Sequence, residues 1–272
     1  MRFSIIVTTR GRDKEVRAFL HSLAGQTCTD FEVILGDQNP DEELAAGLRQ
    51  YAFPIIYRRL PPLSLSAARN RLLPHATGDL VALGDDDCLY HPDLLAGIDQ
   101  AAHRHPRCGA FICGAHPAKA RNDPPVGRYG VFQNAPSYAI FLRRDVLVAA
   151  GAFDETMCIG APTPWQSGEE TDMLLRVLEQ GYPVRRCPAP FPQHPSPAYD
   201  DPKLPLKAHG YGMGRMYLLH KHNFPLHFRL CNIFYPLLQL PADALRYGLG
   251  GMYYRWAMFR GRLAGFLSLA QR

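Results

Sequence analysis

ATGDLVALGDDDCLYHPDLL, residues 76–95, is the stretch on which the fold turns. Its apolar run at 80–83 has the length and residue types of a short buried strand, and it stops abruptly at Asp85, Asp86 and Asp87. Three adjacent carboxylates at a strand end repel one another and are not buried without a counter-charge. Hard oxygen ligands of this kind suit Mg2+ or Mn2+, ions that also carry phosphates. Pro92 then stands where a helix is expected to open, because its missing N–H costs nothing there. A solvated acidic turn is the plain alternative, and the surrounding chain decides between the two.

Working outward, short β-type runs alternate with helical patterns. FSIIVTT precedes KEVRAFLHSL, FEVILGD precedes DEELAAGLRQY, PIIYRRL precedes SAARNRLLPHA, and DLVALGD precedes PDLLAGIDQAAHRH before a last run, GAFICGA. Continuous apolar strands separated by helices of this length predict an α/β fold, a mostly parallel sheet covered by helices on both faces. Ligands of such sheets bind beyond the carboxyl ends of the strands. Thr8, Thr9, Arg10, Asp37, Asp85, Asp86 and Asp87 all fall at such ends, which draws one binding edge.

After residue 115 the alternation breaks, and Pro117, Pro124, Pro125 and Pro136 punctuate a stretch expected to form an antiparallel extension. RRDVLVAAGAFDE reads as a helix, a glycine stop and a turn. The loop at 160–168 leads into EETDMLLRVLEQGYPV, a helix expected to end at Gly181. Residues 188–205 hold seven prolines and read as extended chain.

The formal net charge of +5 divides unevenly. Residues 1–202 hold 20 Lys+Arg against 24 Asp+Glu, a net −4, whereas 203–272 hold 10 against Asp243 alone, a net +9. An acidic body followed by a basic, aromatic tail predicts a catalytic domain over 1–202 and a helical appendage over 203–272 that meets an anionic surface. The seven cysteines are odd in number and form no CxxC pair, which fits a reducing cytoplasm better than a disulfide framework or a zinc site. The first residues read as a strand, and no run of 18 apolar residues appears.

Five motifs in order resemble a family 2 glycosyltransferase of the GT-A fold: SIIVTTRGR, FEVILGDQNPDE, SAARNRLLPHATGDLVALGDDD, GAFDE and SGEETDMLLRVLEQGYPV. The resemblance covers residues 3–194 and implies a metal-dependent, inverting transfer of a sugar from a nucleoside diphosphate, of UDP type by preference, with a nucleotide-binding half over about 1–115 and an acceptor half over about 116–202. It implies that Thr8, Thr9 and Arg10 meet the nucleotide, that Asp37 accepts from the imide N–H of the base, and that Arg69 approaches base or phosphates. The chain has Asp37-Gln38 where the family commonly has two aspartates. Asp85 and Asp87 are the expected DxD pair around a divalent cation, with Asp86 on the nucleotide side and turned from its neighbours by strand alternation. His194, in FPQHPSP, is the expected additional metal ligand.

The general base maps to Glu170, at the start of the helix in SGEETD. Glu169 and Asp172 remain alternatives, since acids in a first turn also stabilise a helix in their own right. Trp165, in the preceding loop, is a candidate to stack on an acceptor sugar, or else packs in the core. The tail opens with KAHGYGMGRMYLLHKH at 207–222, and 226–270 interleave aromatic and aliphatic residues with Arg246, Arg255, Arg260 and Arg262. That pattern suits a peripheral segment on the inner face of the cell membrane, with a helical pair packed on the body as the alternative; no nucleic-acid module accompanies the charge. The expected acceptor is a hydroxyl of a lipid-linked or polysaccharide chain. A sugar-phosphate nucleotidyltransferase would open with a glycine-rich loop, where TTRGRDKE has Gly11 alone, and a non-catalytic binding module would have eroded acids.

Overall fold

The computed structural model describes residues 2–114 and 124–270; Pro117 and the expected junction near 115 lie outside them. In chain order the elements are β1 (Phe3–Thr9), α1 (Asp13–Ala24), β2 (Phe31–Asp37), α2 (Glu43–Ala46), β3 (Ile55–Arg59), α3 (Leu65–Leu72), β4 (Leu80–Asp85) and α4 (Leu94–Arg104). There follow β5 (Ala110–Ile112), β6 (Ile140–Arg143), α5 (Arg144–Ala150), α6 (Glu169–Glu179), β7 (Val184–Arg186), α7 (Leu204–Lys221) and α8 (Leu226–Ala270). The chain divides into two compact units: Met1–Leu63, Ala67–Phe153 and Glu170–Pro195 form the first, and Ser64–Ser66, Asp154–Glu169 and Ser196–Arg272 the second.

The first unit is a seven-stranded sheet in the order β3-β2-β1-β4-β6-β5-β7. β1 pairs in parallel with β2 and β4, and β2 with β3. β6 runs antiparallel to both β4 and β5, which supplies the antiparallel extension expected after 115. The strand alternation sorts the core onto two faces. Phe3, Ile5 and Val7 of β1 join one cluster with Val16, Phe19, Leu20 and Leu23, the i, i+3, i+4, i+7 stripe of α1, and with Leu94, Ile98 and Ala101 of α4. Each such fully buried side chain contributes about 1.5–3 kcal/mol. On the opposite face Leu72 of α3 closes on β2 at Gly36, where an added Cβ would stand 2.8 Å from the leucine methyl. Gly84 likewise leaves room for the Phe19 ring, 2.9 Å from where its Cβ would lie, so α1 packs tightly beneath the acidic strand end.

Glu32 is the polar pin of this sheet. Its carboxylate is almost wholly buried and accepts from the Ser4 hydroxyl at 2.6 Å, the Thr77 N–H and hydroxyl at 2.9 and 2.7 Å, and Arg2 at 2.9 Å. These bonds tie β1, β2 and the entry to β4, and despite its burial they hold the acid below its ordinary range.

Two sequence expectations are corrected. DEELAAGLRQY does not form one helix: α2 lasts four residues and a 3-10 turn covers Leu48–Gln50. Arg17 donates to the Glu43 carbonyl at 3.1 Å, the acceptor that the Gly47 N–H would take in a continuing α-helix, and Gly47 turns to Leu44 instead. Nor does Pro92 open a helix, since α4 begins at Leu94. The carbonyls of His91 and Pro92 are committed to Gln26 and Thr27 in the loop after α1, which holds Pro92 in a turn.

In the second unit α7 and α8 pack against each other, and α8 is broken at Gly248, whose φ of 62° and ψ of −149° lie outside helical space. The alternate glycines of α7 are points of close approach. A Cβ on Gly212 would stand 2.5 Å from the Met258 carbonyl oxygen of α8, and one on Gly214 would stand 2.5 Å from the Ser167 carbonyl oxygen. Among the described residues, no helix is long and apolar enough to cross a membrane.

Candidate active site

The strand registers assemble the site's floor. Thr8 lies beside Asp85 on one side and Gly36 on the other, and Thr9 lies beside Asp37. The carboxyl ends of β2, β1 and β4 therefore form one edge, with Arg10 exposed just beyond it. Thr8 is half-buried and Thr9 buried.

Asp85 is the best-anchored acid of the three. The Ser137 hydroxyl lies 3.0 and 3.1 Å from its two oxygens, and Arg69 Nη2 reaches Oδ1 at 3.2 Å. Arg69 is 1% exposed, an unusual position for a guanidinium, and its far side lies 5.8 Å from the Phe153 ring centre. A buried cation beside the strand end answers the repulsion that the sequence posed.

Asp86 and Asp87 do not diverge as strand alternation predicts, because the strand ends at Asp85 and the chain turns. Both converge on Arg12, whose Nη1 lies 3.0 Å from Asp86 Oδ1 and 2.7 Å from Asp87 Oδ2. Burial raises the Asp86 carboxyl above its ordinary range against the pull of Thr9 and Arg12. Burial would lower Arg12, but the two carboxylates outweigh it and hold the guanidinium above its usual value.

His194 approaches Asp87 from the segment after β7, Nε2 to Oδ1 at 3.4 Å, and its ring stacks on Tyr138 at 4.8 Å and 12°. Its Nδ1 lies 2.7 Å from the Pro195 carbonyl. A carbonyl only accepts, so Nδ1 is the donor of that bond, and Nε2 is the nitrogen that faces the carboxylate. Ligand atoms of Asp85, Cys88 and His194 lie within 4.8 Å of one another. Oxygen and imidazole donors fit a divalent cation; burial first, and then the three acids, push the Cys88 thiol up. The same surroundings push the Tyr138 hydroxyl up to about 12, burial first and then Cys88, Asp85 and Asp87.

Other sequence candidates stand as follows. Asp37 is fully buried, and its two oxygens accept from the Asn39 N–H at 2.8 Å and the Tyr57 hydroxyl at 2.7 Å. It has no exposed oxygen for a base, and it fixes the loop after β2 and holds Tyr57, whose hydroxyl burial and this bond push up to about 12. Glu170 lies in the first turn of α6 and is half-buried, while Glu169 is buried. Asp172 is wholly buried and bound to Arg176 at 2.9 Å, and Arg176 in turn reaches the Ala150 and Gly151 carbonyls at the end of α5. Trp165 is 3% exposed, with one face covered by Tyr217 at 5.2 Å and 10°, so the core-packing alternative describes it and no ring face is offered to a sugar. Trp165 and Glu169 belong to the second unit; the acids, Arg69, Glu170 and His194 belong to the first.

Arg12, Ser137, Tyr138 and Tyr57 were not singled out by the sequence. Arg12 left a signal, since a cation just past β1 must meet the acids just past the neighbouring β4. Ser137 and Tyr138 left none, because their approach depends on the irregular chain before β6.

Comparisons with known proteins establish the family and the fold. The chain is 36% identical over 188 residues to an uncharacterized glycosyltransferase of Haemophilus influenzae, covering 65% of this chain and 62% of that one. It is 37% identical over 101 residues to a PGL/p-HBAD biosynthesis glycosyltransferase of Mycobacterium bovis, covering 35% of this chain and 40% of the relative. The chain thus spans about three-fifths or less of the length of these curated relatives. Among solved structures, the mannosyltransferase PcManGT of Pyrobaculum calidifontis, in complex with GDP-Man and Mn2+, superposes with a TM-score of 0.66 at 17% identity, over 98% of this chain and 86% of that one. S. aureus TarS 1–349 in complex with UDP gives 0.57 at 17% identity, over 100% and 92%. Such likeness at low identity establishes the GT-A fold. The sequence profile of glycosyl transferase family 2 matches residues 4–145, just over half of the 272 residues, and the chain belongs to that family.

Proposed function

We propose that this glycosyltransferase moves a hexose from a nucleoside diphosphate sugar to a hydroxyl of a lipid-linked or polysaccharide acceptor, with inversion and with the help of Mn2+ or Mg2+. The observation that carries the reading is the convergence of His194 on the acids: its Nε2 lies 3.4 Å from Asp87 Oδ1, and its ligand atom lies within 4.8 Å of that of Asp85. Asp85, Asp87 and His194 would hold the ion. When bound, it supplies charge neutralisation for the departing diphosphate.

The roles of the chain's own groups follow from their placement. Thr8, Arg10 and the loop fixed by Asp37 and Tyr57 receive the nucleoside, with Thr9 and Asp86 closing the floor beneath it. Arg69 holds Asp85 in position from the buried side. Glu170 acts as the base: its carboxylate takes the proton of the acceptor hydroxyl as that oxygen forms its bond to the anomeric carbon. On the far side the bond from that carbon to the phosphate oxygen breaks, and the configuration inverts. Asp172 is a weaker candidate for the base, because it is wholly buried and occupied with Arg176. The UDP, UDP-GlcNAc and GDP-Man complexes of the structural neighbours support a nucleotide-sugar donor without choosing the base.

Glu170→Gln tests this assignment, since it keeps the shape of the helix start and removes the base. Turnover is expected to fall by about 10²–10⁴-fold with donor affinity held within a few-fold. Near-normal turnover in the variant, or a wild-type product with the donor's anomeric configuration retained by NMR, would overturn it.

A further inference from the structure

The outward face of α8 is inverted relative to that of an ordinary surface helix. Before the break at Gly248, the exposed side carries Leu226, Leu230, Phe234, Leu238 and Leu245, at steps of four and seven residues. Leu238 and Leu245 are 79% and 92% exposed. No charged residue occurs from Leu230 to Ala242. Beyond the break the pattern resumes with Leu249, Tyr253, Trp256, Leu263 and Leu267, again one helical stripe and again exposed, with Arg260 set among them. Scattered exposed leucines need no explanation, but two successive stripes on one helix do.

The segment that carries these stripes is strongly basic. Residues 203–272 contain ten Lys and Arg and one acid, Asp243. Asp243 is buried and neutralised by Arg255 at 2.5 Å, so this segment shows solvent cations and apolar groups together. A second copy of the chain seated on the same face would set two strongly cationic surfaces against each other. An anionic bilayer instead neutralises the arginines and takes up the leucines, with Tyr and Trp at the depth where their polar tips stay wet. No described helix is apolar enough to span, which leaves a helix lying in the interface.

We infer that the exposed stripes of α8 dock the protein on the surface of an anionic lipid bilayer. The inference stands apart from the donor-site reading, since it is measured without nucleotide, metal or acceptor.

The chain carries its own probe. Of its two tryptophans Trp165 is buried and Trp256 half-exposed, so a change in tryptophan emission on adding vesicles reports α8. The purified protein is mixed with vesicles of phosphatidylcholine alone, or of phosphatidylcholine and phosphatidylglycerol at about 3:1, and followed by sedimentation and emission. The expected result is binding to the anionic vesicles, a blue shift of Trp256, and release as salt rises to about 0.5 M. The double variant Leu238→Asp, Leu245→Asp changes only exposed positions, so its fold is kept, and it should lose vesicle binding by about tenfold or more. Failure of the folded protein to bind, binding undiminished in the double variant, or a stable dimer in solution that shields Trp256 and ignores vesicles would each overturn the inference.

Discussion

Arg12 occupies the acidic centre as an internal cation, and removing it should tighten metal binding. Its guanidinium lies 3.0 and 2.7 Å from Asp86 and Asp87, with about half of the side chain exposed (47%). Exposed pairs of this kind contribute about 0.2–1 kcal/mol each, so an ion arriving at Asp87 competes against about 0.4–2 kcal/mol from the two. In Arg12→Ala that competition vanishes. Asp86, already raised by burial, takes up a proton more readily, and the gain is read at Asp87. The affinity for Mn2+ without nucleotide should rise by about 2–30-fold, and Arg12→Lys should fall between variant and wild type. The loss of the free-ion EPR signal during Mn2+ titration at low salt measures this directly. Unchanged or weaker binding in Arg12→Ala would refute the reasoning, because an ion at Asp87 cannot be indifferent to a cation 2.7 Å from the same carboxylate.

Two further variants test the frame that carries the site. Glu32→Gln keeps the shape but leaves the donors of Ser4, Thr77 and Arg2 facing a neutral amide, and should cost about 2–3 kcal/mol in urea unfolding at pH 7. The folded Glu32 value lies below the unfolded one, so its contribution is complete above about pH 4.3 and fades as pH falls through the folded value; the gap between variant and wild type should narrow only in that acid range. Gly214→Ala places a methyl 2.5 Å from the Ser167 carbonyl oxygen and should destabilise the second unit by about 1–3 kcal/mol, read as a lowered urea midpoint at unchanged slope.

The sheet was legible because β1, β2 and β4 are continuous apolar runs, and a strand buried on both faces has no other way to read. The edge bearing Thr8, Asp37 and Asp85 followed from strand ends alone, since parallel register places equivalent ends side by side. What escaped was set by tertiary competition. Arg17 takes a carbonyl that α2 would need, Tyr57 and Asn39 claim the oxygens of Asp37, and Tyr217 covers the ring of Trp165. Each partner is distant in sequence, so no local pattern announces it. The alternate glycines of α7 were visible as a pattern, yet their cause, backbone of Ser167 and of α8 within contact distance, appears only when the helices are packed.

The central claim is that the acids beside His194 form a metal-dependent donor site. Calorimetric titration with UDP, GDP and TDP, each with and without Mn2+, on the wild type and on Asp87→Asn, tests it most directly. One of the three nucleotides should bind only with the metal present, and Asp87→Asn should weaken that binding by about tenfold or more. Binding that is equal with and without Mn2+, or no binding of any of the three to the folded wild-type protein in its presence, would contradict the account.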